Sequence, residues 1–127
     1  MKVTCQCVEP LGVPGVLWVD RRPEGLWKQK RVGWNWSTGA AAINLALLMG
    51  SREVILLGYD MKSENGENNW HPNKIDLMLD ETRQHQFEGF ARVAKDLPIQ
   101  FPEAKVLNAT EGTALECFEK VVLEEVL

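Results

Sequence analysis

The sequence predicts a small three-layer α/β domain with a mainly parallel sheet. The first reason is the order of the predicted elements: strands and helices alternate along most of the chain, which is typical of helices that connect parallel strands. The second reason is the run EVILLG at 53–58, because an unbroken apolar run of strand length is typical of a central parallel strand covered on both faces. We expect a small sheet of about three or four strands.

The bulk composition fits one ordinary globular domain. The chain has 127 residues, of which 45% are hydrophobic and 25% charged, and this length is enough for a single core. We therefore treat 1–127 as one domain. It has an irregular N-terminal segment at 1–32, with about one or two short strands, and an α/β core at 33–127.

The charge balance argues against a nucleic-acid partner. There are 14 basic and 18 acidic residues, a net charge of −4, and the most basic stretch, RRPEGLWKQKR at 21–31, is interrupted by Glu24 and by apolar residues. Binding to a nucleic-acid backbone normally needs a basic face. A single nucleotide needs only about one or two positive groups, so it remains an acceptable ligand.

A cytoplasmic protein without a membrane partner is expected. The longest apolar run, Ala40–Met49, contains Asn44 and is far shorter than a membrane span. The start MKVTCQCVEP lacks the apolar core of a signal peptide. The odd count of three cysteines suits a reducing compartment. Cys5 and Cys7 could bind a metal, but buried strand cysteines are the favoured interpretation.

The N-terminal segment predicts short strands and a long loop. The alternation in KVTCQCV at 2–8 indicates a half-buried strand, and VLWV at 16–19 indicates a second one. EPLGVPG between them is rich in turn residues. The segment 20–34 has no clean period, and we interpret it as a loop anchored by Trp27 and Trp34.

The elements after this loop have clearer signals. Ser37 or Thr38 is a good N-cap for an apolar helix at 39–49, and Gly50 is a typical helix end. The central strand follows. A long polar segment at 60–76 then shows strong turn chemistry.

The second helix is predicted at 81–97, with Asp80 as its cap and Pro98 as its end. Its apolar residues fall at helical spacing: Phe87, Phe90, Ala91, Ala94 and Leu97. His85 lies off this stripe, and we interpret it as solvated.

The C-terminal part predicts one more strand and further helix. AKVLNA at 104–109 has the length and apolar content of a strand. The segment EGTALECFEKVVLEEVL at 111–127 is interpreted as one or two short helices, with Cys117 in the core.

Three polar clusters lie where a parallel sheet would bind a ligand. They are NWSTG at 35–39, which opens the first helix, GYD at 58–60, which ends the central strand, and NATEGT at 108–113, which follows the next strand. Ligands of open parallel sheets bind beyond the carboxyl ends of the strands. We therefore expect the three clusters to form one ligand site.

The first cluster offers a phosphate site. A helix N-terminus has free N–H groups and a partial positive charge, which attract phosphate or carboxylate. Ser37 and Thr38 add hydroxyl groups, and Gly39 lets a ligand approach the backbone. Asn35 is assigned to ligand binding with them. The alternative is a plain N-cap, and neither a Walker A lysine nor a Gly-x-Gly-x-x-Gly pattern is present.

Asp60 and the loop after it offer further groups. A carboxylate that follows a buried strand can hydrogen-bond a ribose hydroxyl or hold a divalent metal such as Mg²⁺; a turn residue is the alternative. Trp70 could stack on a base or sugar, and His71 could act as an acid, as a base or as a hydrogen-bond donor to phosphate. An anchoring Trp70 and a merely exposed His71 are the alternatives.

The third cluster contributes Asn108, Thr110 and Glu111. Asn and Thr at a strand end commonly just close the turn, whereas Glu111 would be a second carboxylate if it faced the same crevice. No Ser-His-Asp or Cys-His arrangement stands out in the sequence.

The stretches NWSTGAAAINLALLMGSREVILLGYDM, NNWHPN and VLNATEGTALECF together resemble a group of phage and bacterial proteins with a Rossmann-like domain. That group is related to the motility-associated flagellin glycosyltransferases and the 6-hydroxymethylpterin pyrophosphokinases. The stretches also resemble the C-terminal half of the bacterial sialyltransferases that use CMP-sialic acid. The resemblance implies that Ser37, Thr38 and Gly39 lie near phosphate or ribose, and that Asp60 and Met61 lie near the nucleoside.

The resemblance covers residues 33–127 and matches Trp70 and His71 to the Trp-His of the family's loop. It implies a phage-encoded protein of the host cytoplasm that binds a nucleotide or nucleotide sugar. A catalytic member would transfer a glycosyl or pyrophosphoryl group, with Asp60 on ribose or Mg²⁺ and His71 as the proton carrier. The alternative is a non-catalytic binder, which sequesters a nucleotide-type signal, or an accessory subunit.

One part of the family's site has no counterpart here. The sialyltransferases have an earlier Gly-rich strand-turn-helix that forms the other wall of the nucleotide site, and 1–32 holds only EPLGVPG. This wall is therefore missing or comes from another subunit. The five tryptophans suggest extra apolar surface, and together these observations favour a homo-oligomer.

Overall fold

The structure of the protein is a computed structural model that describes residues 2–6, 14, 16–62 and 80–127. The elements in chain order are β1 (Lys2–Gln6), β2 (Val16–Arg22), β3 (Arg31–Gly33), α1 (Thr38–Leu48), β4 (Glu53–Leu56), α2 (Asp80–Gln100), β5 (Lys105–Asn108), β6 (Glu119–Lys120) and a 3₁₀ turn, Leu123–Glu125.

The strands of the described part pair into two three-stranded sheets, in the orders β1–β2–β3 and β4–β5–β6. Every one of these pairs is parallel. The predicted α/β class and the predicted parallel pairing are therefore confirmed, whereas the described strands form two small sheets and not the single sheet that was expected. Among residues 16–62 and 80–127, neither helix combines the length and the apolar character that crossing a bilayer would require.

Helix α1 begins where the sequence predicts it. Ser37 is its N-cap in an extended backbone conformation, and its hydroxyl accepts a hydrogen bond from the Ala40 N–H at 3.4 Å. The buried residues of α1 recur at helical spacing and form one inward face: Ala40, Ile43, Asn44 and Leu47. Gly50 follows the helix with a φ of +95°, the left-handed conformation that glycine adopts most easily at a helix end.

Helix α2 is longer than predicted, and Pro98 does not end it. The helix continues to Gln100 with Pro98 inside its last turn. A proline lacks its own N–H donor and its ring crowds the carbonyl four residues earlier; here the ring is exposed. The Phe101 N–H donates to the Leu97 carbonyl at 2.8 Å, so the hydrogen-bond pattern resumes beyond the proline.

The C-terminal segment differs from the prediction of one or two short helices at 111–127. It contains the two-residue strand β6 and the 3₁₀ turn. Leu115 and Phe118 are buried in the core three positions apart, a spacing that imitates a helix in the sequence. Cys117 lies between them outside any helix, packs against the core, and has its thiol pKa raised to about 11 by burial.

A further difference lies in the predicted loop at 20–34. β2 extends to Arg22, and β3 pairs with its end, so that Arg31 lies opposite Asp20 and Gly33 opposite Arg22. Three residues are too few to show a periodic signal, and β3 is defined by its pairing with β2. The loop prediction for this part was wrong.

The core joins both helices to β4, β5 and the C-terminal segment. Its centre is Phe90 of α2, which makes edge-to-face contacts with Tyr59 at 5.8 Å and with Phe118 at 6.4 Å between ring centroids. Aromatic pairs in this geometry add to the stabilisation from area burial alone. The core therefore reaches directly to the residues that follow β4.

Gly89 gives a test of how the 35–37 turn packs on α2. A Cβ at Gly89 would overlap the carbonyl oxygen of Asn35. Helix propensity predicts that Gly89→Ala gains about 1 kcal/mol, whereas overlap with a fixed backbone atom costs about 1–3 kcal/mol or more. We expect a net loss of stability in urea unfolding. Ala91→Gly, at an exposed position of the same helix, should lose about 1 kcal/mol from propensity alone. A Gly89→Ala variant more stable than the native chain would contradict this packing.

Candidate functional site

A cavity of about 350 Å³ lies at the N-terminus of α1, between the 58–62 loop and the first half of α2. This volume is within the range of small-molecule sites, which runs from about 300 to 1,000 Å³. The cavity is lined by Ser37, Gly39, Gly58, Tyr59, Asp60, Met61, Lys62, Arg83, Gln86 and Phe90.

The α1 wall contains two of the predicted phosphate-binding residues. Ser37 caps the helix, and Gly39 lies in its first turn. The space left open by Gly39 is used by Tyr59: a Cβ at Gly39 would lie 2.8 Å from the Tyr59 Cε1, and the Tyr59 hydroxyl donates to the Gly39 carbonyl at 3.3 Å. Thr38 begins the helix at an exposed position outside the cavity lining.

Asn35 has a structural position instead of a place at the cavity. Its side chain is 0% exposed and pairs with the backbone of Gly25. The Asn35 Oδ1 accepts from the Gly25 N–H at 2.7 Å, and its Nδ2 donates to the Gly25 carbonyl at 3.0 Å. These bonds fasten the turn before α1 to the segment that follows β2, so Asn35 is not part of the cavity lining.

The loop after β4 forms the second wall. Gly58 and Met61 have left-handed backbone conformations, with φ of +73° and +53°. These bends bring Asp60 to the cavity while Met61 packs against the core. Burial raises the pKa of the Tyr59 phenol above its ordinary value, so this hydroxyl stays a neutral hydrogen-bond donor.

The third predicted cluster lies behind this loop and supports it. The Tyr59 N–H donates to the Thr110 Oγ1 at 3.0 Å, and the Thr113 Oγ1 donates to the Tyr59 carbonyl at 2.6 Å. The Ala114 N–H donates to the Asp60 carbonyl at 2.9 Å. Asn108 is buried and donates through Nδ2 to the Thr113 Oγ1 at 3.3 Å. We define these residues, 59–60 with 108–114, as the clasp.

Glu111 is exposed and lies outside the cavity lining. Its neighbour Gly112 approaches the site more closely, since a Cβ there would lie 3.1 Å from the Lys62 Nζ. The clusters at 35–39 and 58–60 are therefore brought together at the cavity, while 108–113 acts through backbone support.

Three polar residues of the cavity were not singled out from the sequence. Lys62 belongs to the polar segment after β4, and Arg83 and Gln86 lie on α2. Arg83, Gln86 and Phe90 are spaced at i, i+3 and i+7, so they share one helix face. Arg83 and Gln86 could have been identified from the sequence, because they continue the helix face of Phe90 toward the start of α2.

Two predicted site residues, Trp70 and His71, lie outside the described residues, as does Cys7. Among residues 16–62 and 82–127, no group of three or more His, Cys, Asp and Glu side chains is placed to hold a metal. Mg²⁺ is commonly bound by one or two carboxylates together with substrate phosphates, and Asp60 at the cavity has the chemistry of such a ligand.

No family model matches the chain, and neither the curated proteins nor the solved structures contain a significant match to it.

Proposed function

We propose that the chain binds a nucleotide or nucleotide sugar in the cavity at the start of α1. The observation that carries the proposal is the meeting of a helix N-terminus with two cationic side chains, Lys62 and Arg83, around about 350 Å³ of space. Helix N-termini and such cations each favour phosphate, and together they suit a phosphorylated ligand.

The lining also divides by chemistry in a way that suits this ligand. Ser37 and Gly39 present the helix start, with Lys62 and Arg83 as the counter-charges for phosphate. Among the described residues of this lining Asp60 is the one carboxylate, and it is assigned to a ribose hydroxyl or to a Mg²⁺ shared with the phosphates. Tyr59, Met61 and Phe90 supply apolar surface.

The resemblance to Rossmann-like transferases supports the same proposal. In this proposal the two parallel sheets are parts of a three-layer, Rossmann-like arrangement in a phage-encoded cytoplasmic protein. Transfer of a glycosyl or pyrophosphoryl group is its catalytic form, with His71 as the proton carrier. A second copy of the chain is proposed to complete the other wall of the site.

Arg83→Ala is the variant that tests the ligand class. Calorimetric titration with CMP, UDP, ADP-ribose and nucleotide sugars, with and without Mg²⁺, is expected to show binding to the native chain. Arg83→Ala should weaken it about tenfold or more, because a hydrogen bond to a charged group contributes about 1.5–3 kcal/mol. Lys95→Ala removes an exposed cation of α2 outside the cavity and should bind as the native chain does. The proposal fails if no nucleotide binds, or if the two variants behave alike.

Turnover is separated from binding by the fate of the ligand. A released nucleoside phosphate indicates that the glycosyl or pyrophosphoryl group has been transferred to water or to an added acceptor hydroxyl. A ligand recovered unchanged after long incubation with such acceptors indicates a non-catalytic binder. In the same titrations, Asp60→Ala should remove any strengthening by Mg²⁺. Unchanged Mg²⁺ dependence in that variant would take Asp60 out of the site.

A further inference from the structure

The loop between β2 and β3 is a cationic surface on an acidic chain. Residues 20–34 have five basic and two acidic side chains, a net charge of +3, whereas the whole chain has a net charge of −4. Lys28 and Lys30 of this loop are exposed. We define residues 27–31 as the cationic turn. A local charge opposite in sign to the net charge of the protein favours an acidic binding partner.

The cationic turn has an unfavourable backbone. Gln29 and Lys30 both have left-handed conformations, with φ of +57° and +61°, which are uncommon for residues other than glycine. Glycine, asparagine and aspartate usually occupy two such positions in succession. The Lys30 carbonyl accepts a hydrogen bond from the Asp20 N–H at 2.7 Å, so β2 holds the turn in this conformation. Strained backbone of this kind is concentrated at functional sites.

Trp27 gives the cationic turn an aromatic anchor. Its side chain is 36% exposed, and the guanidinium groups of Arg22 and Arg31 lie over its ring, at 5.7 and 5.8 Å from the ring centroid. Trp27 also lines a cleft of about 430 Å³ between residues 23–27 and the C-terminal half of α2. Tryptophan and arginine are enriched among the residues that dominate the affinity of protein interfaces. The surface therefore has the composition of a protein-binding site.

Two carboxylates also line the cleft, and both are engaged within the chain. Glu24 forms an ion pair with Arg92. The Asp96 Oδ2 accepts a hydrogen bond from the Leu26 N–H at 3.0 Å. The cleft is therefore a place for an uncharged side chain of a partner, with the cations of the turn beside it.

The 3₁₀ turn of the same chain has the complementary chemistry. Residues 111–127 have five acidic side chains and one basic side chain, a net charge of −4. Glu124 and Glu125 are exposed, and Val122 beside them is 57% exposed. We define residues 122–125 as the acidic turn. It offers two carboxylates to the cationic turn and an apolar side chain to the cleft.

The two turns do not neutralise each other within one chain. Among residues 16–62 and 80–127, no ion pair joins the cationic turn to a carboxylate, and Glu124 and Glu125 form none either. The complementary charges are therefore available to a second molecule. A second copy of the chain is the favoured partner, because every copy carries both the carboxylates and the apolar side chain that the cationic surface fits.

We propose that the chain self-associates by docking the acidic turn of one copy on the cationic turn of another, with Val122 in the cleft beside Trp27. This contact goes beyond the proposed function, because it identifies how a second copy is held and is independent of any nucleotide. Exposed ion pairs alone contribute little affinity. Charge is therefore expected to set the specificity and the rate of association, and Trp27 to supply most of the affinity.

An exchange of charge between two variants tests the contact. Sedimentation velocity of the native chain without ligand should show reversible self-association that weakens as the NaCl concentration rises. One variant reverses the cationic turn, Lys28→Glu with Lys30→Glu, and the other reverses the acidic turn, Glu124→Lys with Glu125→Lys. Each alone should associate about tenfold more weakly or less. An equimolar mixture again pairs opposite charges and should recover the native affinity within about threefold.

The matched control makes the same change of net charge outside both turns. Arg52→Glu with Lys95→Glu alters two exposed cations elsewhere and should associate as the native chain does. Trp27→Ala should weaken self-association about thirtyfold, with an equal urea midpoint showing that the variant is folded. If Trp27→Ala is less stable than the native chain, the charge exchange decides, because it alters only exposed side chains.

Three results would overturn the contact. The native chain could stay monomeric, its association could be insensitive to salt and to both charge reversals, or the mixture could associate no better than the separate variants. The last result would show that the acidic turn is not the partner of the cationic turn. These measurements contain no ligand, so a monomer that binds nucleotide would leave the proposed function standing. Association of a chain that binds no nucleotide would leave the contact standing.

Discussion

Phe90→Ala is expected to lower the free energy of unfolding by about 3–5 kcal/mol. Phe90 is 1% exposed and contacts the rings of Tyr59 and Phe118, so truncation leaves a cavity among residues that cannot close on it freely. Urea unfolding measures the loss. Because Phe90 also lines the cavity and contacts the Tyr59 ring, the proposed nucleotide binding should weaken in the variant that remains folded.

The matched control is Phe87→Ala on the same helix. Phe87 is only partly buried and packs at the edge of the core, so its truncation should cost clearly less, about 1–2 kcal/mol. Phe90→Leu, which keeps most of the volume, should recover much of the stability. Equal losses for the two alanine variants would show that Phe90 is not the centre of the core.

Asn44→Leu is expected to destabilise the chain by about 3 kcal/mol, although local rules predict the opposite. Leucine is the better helix former and would complete the apolar run of α1. Asn44, however, is 0% exposed, and its Oδ1 accepts from the Trp27 N–H at 3.1 Å and the Gly33 N–H at 2.9 Å. Its Nδ2 donates to the Trp27 carbonyl at 2.9 Å. Leucine leaves these three backbone groups without their partner, at about 1–3 kcal/mol for each buried group.

Thermal and urea unfolding of Asn44→Leu measure this loss. The control is Ala42→Leu, which adds a leucine to the exposed side of the same helix and should stay within about 0.5 kcal/mol of the native chain. A stabilised Asn44→Leu would mean that the segment 27–33 is held to the helix by other contacts.

The elements with local signals could be predicted from the sequence. Helix α1 has a capping serine and a terminal glycine within its own segment, and the apolar run at 53–58 correctly marks a strand. The predicted central position of that strand was wrong, because in the described part of the chain β4 is at the end of its sheet and β5 is in the middle. β3 and β6 could not be predicted in this way, because each has only two or three residues and exists through pairing with the strand that precedes it in the chain. Local rules carry no information about such partners.

In the candidate site, too, the residues with local sequence signals were predicted and the residues placed by packing were not. Ser37 and Asp60 were expected to meet because both lie at predictable ends of elements, and both line the cavity. Asn35 and Asn108 had the polar character of ligand residues, but their amides satisfy buried backbone and side-chain groups. A sequence pattern identifies a polar side chain without telling whether it faces a ligand or a peptide group. Arg83 enters the site only through the packing of α2.

The clasp has a consequence for the thermodynamics of ligand binding. Hydrogen bonds from Thr113 and Ala114, and one to Thr110, hold residues 59 and 60 before any ligand arrives. Such a loop is preorganised, and the conformational entropy of ordering it is lost during folding instead of during binding. Asp60 can therefore meet a ligand without a closing motion of its own loop. Adjustment to ligands of different size would then depend on the long side chains of α2 that line the cavity, Arg83 and Gln86.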